Sequence, residues 1–580
     1  MQSAFRATPV LDSILHVYGV SDEYIPLDEA REMALDMATD HEYAFGAATR
    51  PADSPRSWKE AMGRHDSAKW LEAAQAEIDA LTANGTWELV KLPAGRKPVG
   101  SRWVFLIKRK SDGTIDRYKA RLVAKGYSQA PGIDYDEVFA PTTRLASLRA
   151  ILAQAAMNGD HIESIDVANA YLNGEIEDEF EVYMTQPEGF EVTNPNGAKW
   201  VARLKKGLYG LKQSGRLWYQ KLADELERIG FTQIKSDPSI YIWEKNSIRV
   251  TLPVFVDDIT IISKDKSKID WVKASLAKVF KLKDLGPTSY LLGIKVDYDH
   301  LKKVLQLSQY QYIIDMLIRF RLTDCKPVTT PMDPGIKLSK SPVPLSKEEA
   351  LMMLNIPYMN AVGALMYLAI ATRPDIAHAV AKLAQYNSNP GIAHWKAVKH
   401  VFRYLQGTKD LKLTYRATKD SSPVSELFQT YSDADHAGCL DTRRSTSGFL
   451  IKMGTGAVSW SAKKQTTVAD SSTEAEYVAA STAGREVIWM RALLTELGTK
   501  LDGPSPMMVD NQSAIKVLRN PEHHSKMKHI DIKMHWIRQV IKRKDIEIHF
   551  LSTKDMIADI LTKPLPRVDV ERHRLALGLF

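Results

Sequence analysis

The stretch LPVFVDDITII, Leu252 to Ile262, sets two adjacent carboxylates, Asp257 and Asp258, between two apolar runs rich in β-branched residues. Such flanks read as strands on either side of a turn. Asp-Asp is a poor two-residue hairpin turn, because it lacks the Gly or Asn that supplies positive φ. Like charges this close repel, and a cation beside them relieves both repulsion and desolvation. An acidic hairpin tip is the plain alternative, and short motifs also match by accident. The pair therefore asks for a metal, with the remaining ligands supplied by other segments.

The chain has 580 residues, 44% hydrophobic and 26% charged, enough for several cores, so three or four domains are expected. A formal net charge of +8 favours a polyanionic partner, nucleic acid first. Two cysteines, Cys325 and Cys439, are too few for a disulfide framework or a Cys-rich zinc site, which fits a reducing, intracellular compartment. The longest apolar stretch, around GALMYLAIA, is too short to span a bilayer, so no membrane role is expected.

Residues 1–54 are acidic and weakly patterned, and are read as an unassigned tail or linker. WLEAAQAEIDALTANG, from Trp70, is helical and stops at Asn84-Gly85. RWVFLIKRKSDGTIDRYKARLVAKGY reads as two basic strands turning at Asp112-Gly113. LASLRAILAQAAMNG is a helix, and HIESIDVANAYLNG is a strand ending near Asp166. KKGLYGLKQSGRLWYQKLADELERIG gives a glycine-rich entry into an amphipathic helix. A Pro/Ser/Lys-rich strap from Lys326 to Glu349, a helical stretch from Tyr358 to Gly407 and a second linker, RATKDSSPVSE, separate this part from a new mixed pattern beginning at Leu427. The class expected is α+β.

Polymerising nucleotides needs two divalent ions about 4 Å apart, held by hard oxygen ligands. Asp166 at a strand end and Asp257 in the following strand pair can meet on neighbouring strands. YKARLVAKGY, DVANAYLNG, GLYGLKQSGRLWY and FVDD stand in an order that resembles the reverse transcriptases of copia-type LTR retrotransposons, and the resemblance runs from about Pro55 to the C-terminus. It implies a right-hand polymerase of fingers, palm and thumb over 55–325. A linker and helical connection follow at 326–426. It makes Asp166 and Asp257 metal ligands, with Asp258 completing a Val-Asp-Asp motif as a weaker one. Tyr171 matches an aromatic steric gate against the ribose 2′-hydroxyl, with a core aromatic as the alternative. Gln213 resembles a residue lining the incoming nucleotide pocket. Lys119 and Arg121, on the basic hairpin, are candidates to neutralise triphosphate charge, though a solvated face explains such charges nearly as well. Phe255, Gly215 and VANAY depart from the family's commoner Tyr, Pro and basic-and-Phe versions without removing a ligand.

Beyond Leu427 four acids recur: Asp433 in TYSDADHAG, Glu474 in SSTEAEY, Asp510 in MMVDNQSA and Asp559 in MIADILTKPL. Four such carboxylates can converge on two magnesium ions and activate water. Ser471 with Glu474, and Thr473 with Glu476, both have the spacing of a capping box; we expect the second pair to cap the helix and Glu474 to face the metal. Asp510 has helix-cap chemistry as its alternative. RRSTSGF, STEAEY and DNQSAI resemble the copia-type ribonuclease H, placing an RNase H-like α/β domain at 427–566 with 567–580 as a tail. Asp470 replaces a residue usually apolar there. His523, His524, His529 and His535 lie among many cations; lacking thiols and tidy spacing, they fit phosphate contact along a hybrid better than zinc.

The resemblance implies Mg2+, two ions per active site, with Mn2+ as a substitute. Its partners are an RNA template, a DNA primer, an RNA–DNA hybrid and deoxynucleoside triphosphates, with other transposon products and dimerisation left open. It implies a cytoplasmic location, in virus-like particles, with the nucleus left open. Protease, zinc-knuckle and integrase signatures are absent from this sequence, which resembles the C-terminal portion of a longer polyprotein. The competing reading is a decayed or domesticated nucleic-acid-binding protein without catalysis. An integrase is a third class, disfavoured because its zinc-bearing head has no counterpart here.

Overall fold

The computed structural model describes residues 54–109, 114–177, 179–193, 200–340, 346–416, 428–519 and 532–580. Residues 1–53, the Asp112-Gly113 turn, most of the RATKDSSPVSE linker, His523, His524 and His529 lie outside the described residues, as does the side chain of His535.

The N-terminal part begins with α1 (Trp58–Met62) and α2 (Ser67–Ala83). Ser57 caps α1 through its hydroxyl. A three-stranded sheet is built from β1 (Trp87–Val90), β5 (Val182–Met184) and β6 (Val201–Leu204), and a separate antiparallel pair from β2 (Ser101–Arg109) and β3 (Ile115–Ala124). Trp70 on α2 meets Phe105 on β2 edge-on at 5.2 Å, sealing the helix onto the hairpin. On β3 the period of two puts Lys119 and Arg121 on one face and the buried Ala120 and Leu122 on the other.

The central sheet, in the place of the expected palm, has six strands in the order β11-β4-β10-β9-β8-β7. They are β4 (His161–Val167), β7 (Thr232–Gln233), β8 (Ile240–Lys245), β9 (Ile248–Phe255), β10 (Asp258–Ser263) and β11 (Leu282–Pro287). Both faces are buried, which explains the nearly continuous apolar runs of β9 and β10. One face, with Ile165, Leu252 and Ile261, packs on α4 (Ser214–Arg228) and α5 (Lys266–Leu276); the other, with Ile162, Phe255 and Ile262, packs on α3 (Leu145–Asn158).

A second small sheet, β12-β13-β14-β15, joins Tyr290–Leu291, Ile294–Asp299 and Val304–Ser308 to Leu413–Arg416. Between β14 and β15 come α6 (Tyr310–Arg319), α7 (Lys347–Leu354), α8 (Tyr358–Ala371), α9 (Ala377–Ala384) and α10 (Ile392–Gly407). The boundary expected near residue 326 is therefore crossed by a sheet. The strap is pinned along α10: Arg403 Nε donates to Lys326 O at 2.7 Å, and Tyr386 on the α9–α10 connection donates to Leu338 O at 2.9 Å.

The C-terminal sheet runs β18-β17-β16-β19-β20, with β16, β19 and β20 parallel. Its strands are Gly456–Lys464, Thr446–Met453, Phe428–Ala434, Ser505–Val509 and Ile546–Phe550. The helices are α11 (Ser472–Glu496), α12 (Gln512–Arg519), α13 (Ile532–Lys542) and α14 (Arg567–Ala576). Residues 567–580 are not the tail expected. Val570, His573, Leu577 and Leu579 are buried, and Phe580 exchanges backbone hydrogen bonds with Lys412. The whole is α+β, mixed helix and sheet, as expected for a polymerase followed by an RNase H-like domain.

Candidate catalytic centres

β9 and β10 form a hairpin whose two turn residues are Val256 and Asp257. Val256 supplies the positive φ, 54°, a conformation that a β-branched residue rarely adopts and that costs about 1–3 kcal/mol. The turn that Asp-Asp disfavours is thus made one residue earlier. Two contacts hold it: Trp218 Nε1 on α4 donates to Val256 O at 2.7 Å, and Val167 N–H donates to Asp257 O at 2.9 Å.

Asp258 on β10 stands directly opposite Asp166 on β4, so their side chains share one face of the sheet. Burial pushes the Asp257 carboxyl above its usual range; Arg121 opposes this and Asp166 adds to it. Asp258 is pushed up to about 7 by burial first, then by Asp257 and Asp166. Three carboxylates crowd this end of the sheet, the situation that bound cations relieve.

The basic hairpin faces these acids. Burial holds the Lys119 ammonium below its usual range, with Arg117 adding and Asp257, Glu77 and Asp166 opposing. Lys108 is held down to about 8 by burial, Lys119 and Arg117, against Asp166 and Asp257. Sequence reasoning missed Lys108; its register opposite Arg117 was the available signal. Arg121 stacks 4.2 Å over the Tyr209 ring, and Tyr209 meets Tyr171 edge-on at 4.9 Å. Tyr171 lies in the 3-10 turn Ala170–Asn173, just past β4, where burial and Asp257 raise its phenol. Gly210, at φ +89°, lets this loop reach β3: a Cβ there would lie 2.1 Å from Ala124 O. Gln213 is committed to the protein at both ends of its amide, donating to Asp134 O at 2.8 Å and accepting from Gln129 Nε2 at 3.0 Å.

The second centre brings Asp433 on β16, Glu476 on α11 and Asp510 after β19 within 4.8 Å of one another, oxygen to oxygen. Among the described residues the three palm acids do not close so tightly. Asp559, in the 3-10 turn Ile557–Leu561, joins from the side. Burial and then Asp433 push it up to about 7, and Lys563 Nζ lies 2.9 Å from its Oδ1. Thr562 donates to Asp433 Oδ2.

Glu474 does not face this cluster, and the expectation for it is corrected. Ser471 is the N-cap and accepts from Glu474 N–H at 3.2 Å, while Glu474 Oε2 accepts from Asp470 N–H at 2.9 Å. The carboxylate is absorbed in capping. Glu476, two residues on and thus about 200° around the helix, turns to the sheet instead. Burial, Asp433 and Asp510 push its carboxyl well up, and its Oε2 is enclosed without a hydrogen-bond donor. An orphaned carboxylate oxygen amid three other acids is a donor set suited to hard divalent cations.

Residues 84–334 match the family model described as reverse transcriptase (RNA-dependent DNA polymerase). The chain is 41% identical over 527 residues to the retrovirus-related Pol polyprotein from transposon TNT 1-94 of Nicotiana tabacum, covering 90% of this chain and 39% of that one. It is 39% identical over 540 residues to the Pol polyprotein from transposon RE1 of Arabidopsis thaliana, covering 93% of this chain and 35% of that one. A transposon Ty5-1 protein of Saccharomyces cerevisiae is 30% identical and is matched along 100% of its length by 56% of this chain. The chain belongs to the copia-type Pol family. It spans little more than a third of the length of the plant members. A solved structure, foamy viral protease-reverse transcriptase in complex with double-stranded DNA, aligns at TM-score 0.43 and 13% identity, over 95% of this chain and 84% of that one.

Proposed function

We propose that this copia-type chain is an RNA- and DNA-templated DNA polymerase that also degrades the RNA of RNA–DNA hybrids, using Mg2+ at two separate centres. The observation carrying this reading is the pair of carboxylate clusters on two different sheets, the first half-buried and the second mostly buried, each crowded with like charge and flanked by lysine. Asp166 and Asp257 would hold metal at the first, with Asp258 a weaker ligand; Asp433, Glu476, Asp510 and Asp559 would hold it at the second. Divalent ions there supply Lewis-acid activation of the attacking oxygen and neutralise the leaving group.

The remaining work belongs to the protein. Lys119, Lys108 and Arg121 present positive charge opposite the palm acids, where a triphosphate needs it. Tyr171, backed by Tyr209, offers a rigid ring edge against the sugar, selecting deoxyribonucleotides. Gln213 serves by fixing the loop 129–134 beneath the entry to α4. At the second centre Thr562 orients Asp433, and Lys563 steadies Asp559.

The test is primer extension on RNA and on DNA templates with magnesium, together with cleavage of a preformed hybrid. Both activities are expected. Tight hybrid binding with neither activity would favour the decayed, non-catalytic reading.

A further inference from the structure

Arg149 sits on α3 of the palm, is 5% exposed and directs its guanidinium outside the palm. Nε donates to Val458 O on β18 at 2.8 Å, and Nη1 donates to Ile370 O and Ala371 O, at the end of α8, at 2.7 and 3.0 Å. The guanidinium lies 3.9 Å over the Trp460 ring, and Trp460 Nε1 donates to Ala369 O at 2.8 Å. One palm side chain thus joins connection and nuclease sheet. The carbonyls at a helix C-terminus are its negative end, and a planar guanidinium can bind them and stack at once, as an ammonium cannot.

A second tie lies at the far end of α11. Glu496 accepts from the N–H groups of Lys235 and Ser236, each at 2.9 Å. Trp489 Nε1 donates to Ser236 O at 2.9 Å, and Gln154 on α3 donates to Thr499 Oγ1 at 2.7 Å. α11 therefore has its C-terminal end on the palm and Glu476 near its other end, about 30 Å away at 1.5 Å per residue. α3 leads directly into β4 and Asp166. Glu496 thus shares one helix with Glu476, and Arg149 lies on the helix that feeds the Asp166 strand.

We propose that Arg149, seconded by Glu496, is a positioning residue: it fixes the nuclease centre relative to the polymerase centre, so that a hybrid seated by its DNA 3′ end is cut at one register on the RNA strand. This rests on the two-activity reading above. A purely stabilising arginine would change how much enzyme is folded, not where the RNA is cut.

The test maps RNA cleavage on a hybrid with a recessed DNA 3′ end, using the full chain, its Arg149→Met and Arg149→Lys variants, and Glu496→Gln at the independent tie. The unaltered protein should cut in one narrow cluster at a fixed distance from the DNA end. Arg149→Met should keep primer extension and total cleavage within about threefold, a barrier change of about 0.6 kcal/mol, while its cuts spread over several nucleotides; Arg149→Lys should spread them less. Unchanged, narrow cutting by folded Arg149→Met overturns the proposal. If that variant does not fold, Glu496→Gln decides in the same way. Calorimetry reads the coupling without any activity: one transition is expected for the unaltered chain and two for the variants, and one transition in all of them contradicts it. Absence of extension or cleavage in the unaltered protein counts against the proposed function, and the calorimetric result still judges the positioning claim.

Discussion

Glu474 and Glu476 lie two residues apart on one helix and serve opposite faces of it: Glu474 accepts the Asp470 N–H at 2.9 Å, while Glu476 meets Asp433 and Asp510 within 4.8 Å. Replacing either by Gln separates capping from catalysis. Glu476→Gln should cut hybrid cleavage about 100-fold or more, equivalent to about 2.7 kcal/mol at the transition state, without lowering thermal stability, because it removes a crowded charge. Glu474→Gln should cleave within about threefold of normal, since Gln is accepted at the capping position. The reverse ranking in a magnesium titration of cleavage would return Glu474 to the metal.

The strained turn at Val256 depends on α4. Trp218→Phe keeps the ring packed on Phe280, 5.2 Å away, but loses the donor to Val256 O, at a stability cost of about 1 kcal/mol. Extension should fall about tenfold, or 1.4 kcal/mol in the barrier, with hybrid cleavage unchanged. Equal loss of both activities in folded protein would show that the turn is not specific to polymerisation.

Tyr171→Val should relax sugar selection, because the ring edge held by Tyr209 is removed while the acids stay. The measurement compares primer extension with ribonucleotides and deoxyribonucleotides. Ribonucleotide incorporation should rise at least about tenfold relative to deoxyribonucleotide, about 1.4 kcal/mol of discrimination. Undetectable ribonucleotide use with normal deoxyribonucleotide extension would remove Tyr171 as the gate.

Much of this was legible because local pattern and local structure agree. Asp166 lies at a strand end, Asp433 on a strand and Asp510 at a strand-to-helix junction, and β-branched runs mark β9 and β10. What stayed hidden was decided at longer range. Two overlapping capping boxes satisfy the same local rule, and only the sheet beneath α11 selects Ser471 as cap. The pairing of β14 with β15 spans about a hundred residues, and no short-range pattern records it. The closing LALGLF is apolar but too short to show a period, so the burial of Leu577 and Leu579, with the Ala457 N–H donating to Leu577 O and the Thr414 N–H to Gly578 O, does not read from the sequence. Lys563 reads as one more lysine until the fold sets it beside Asp559.

Acid should loosen the connection through His378 on α9. Burial, with Lys382 nearby, holds its imidazole down to about 3 from an ordinary 6.5. The folded pKa is depressed, so the unfolded chain takes up a proton that the folded chain refuses. Stability from this group is complete above pH 6.5 and is lost progressively as pH falls from there toward 3, by up to about 1.4 kcal/mol per pH unit. His378→Leu should flatten the fall of the urea midpoint between pH 6.5 and 4.5; an unchanged slope would assign the acid sensitivity to other groups.

Two independent centres on one chain are tested most directly by a single reaction: DNA synthesis on a labelled RNA template, with both strands followed in the unaltered protein, Asp257→Asn and Asp433→Asn. The account predicts synthesis with RNA degradation in the first, degradation of preformed hybrid without synthesis in the second, and full-length DNA still paired to intact RNA in the third. Parallel loss of both activities in either folded variant would contradict it.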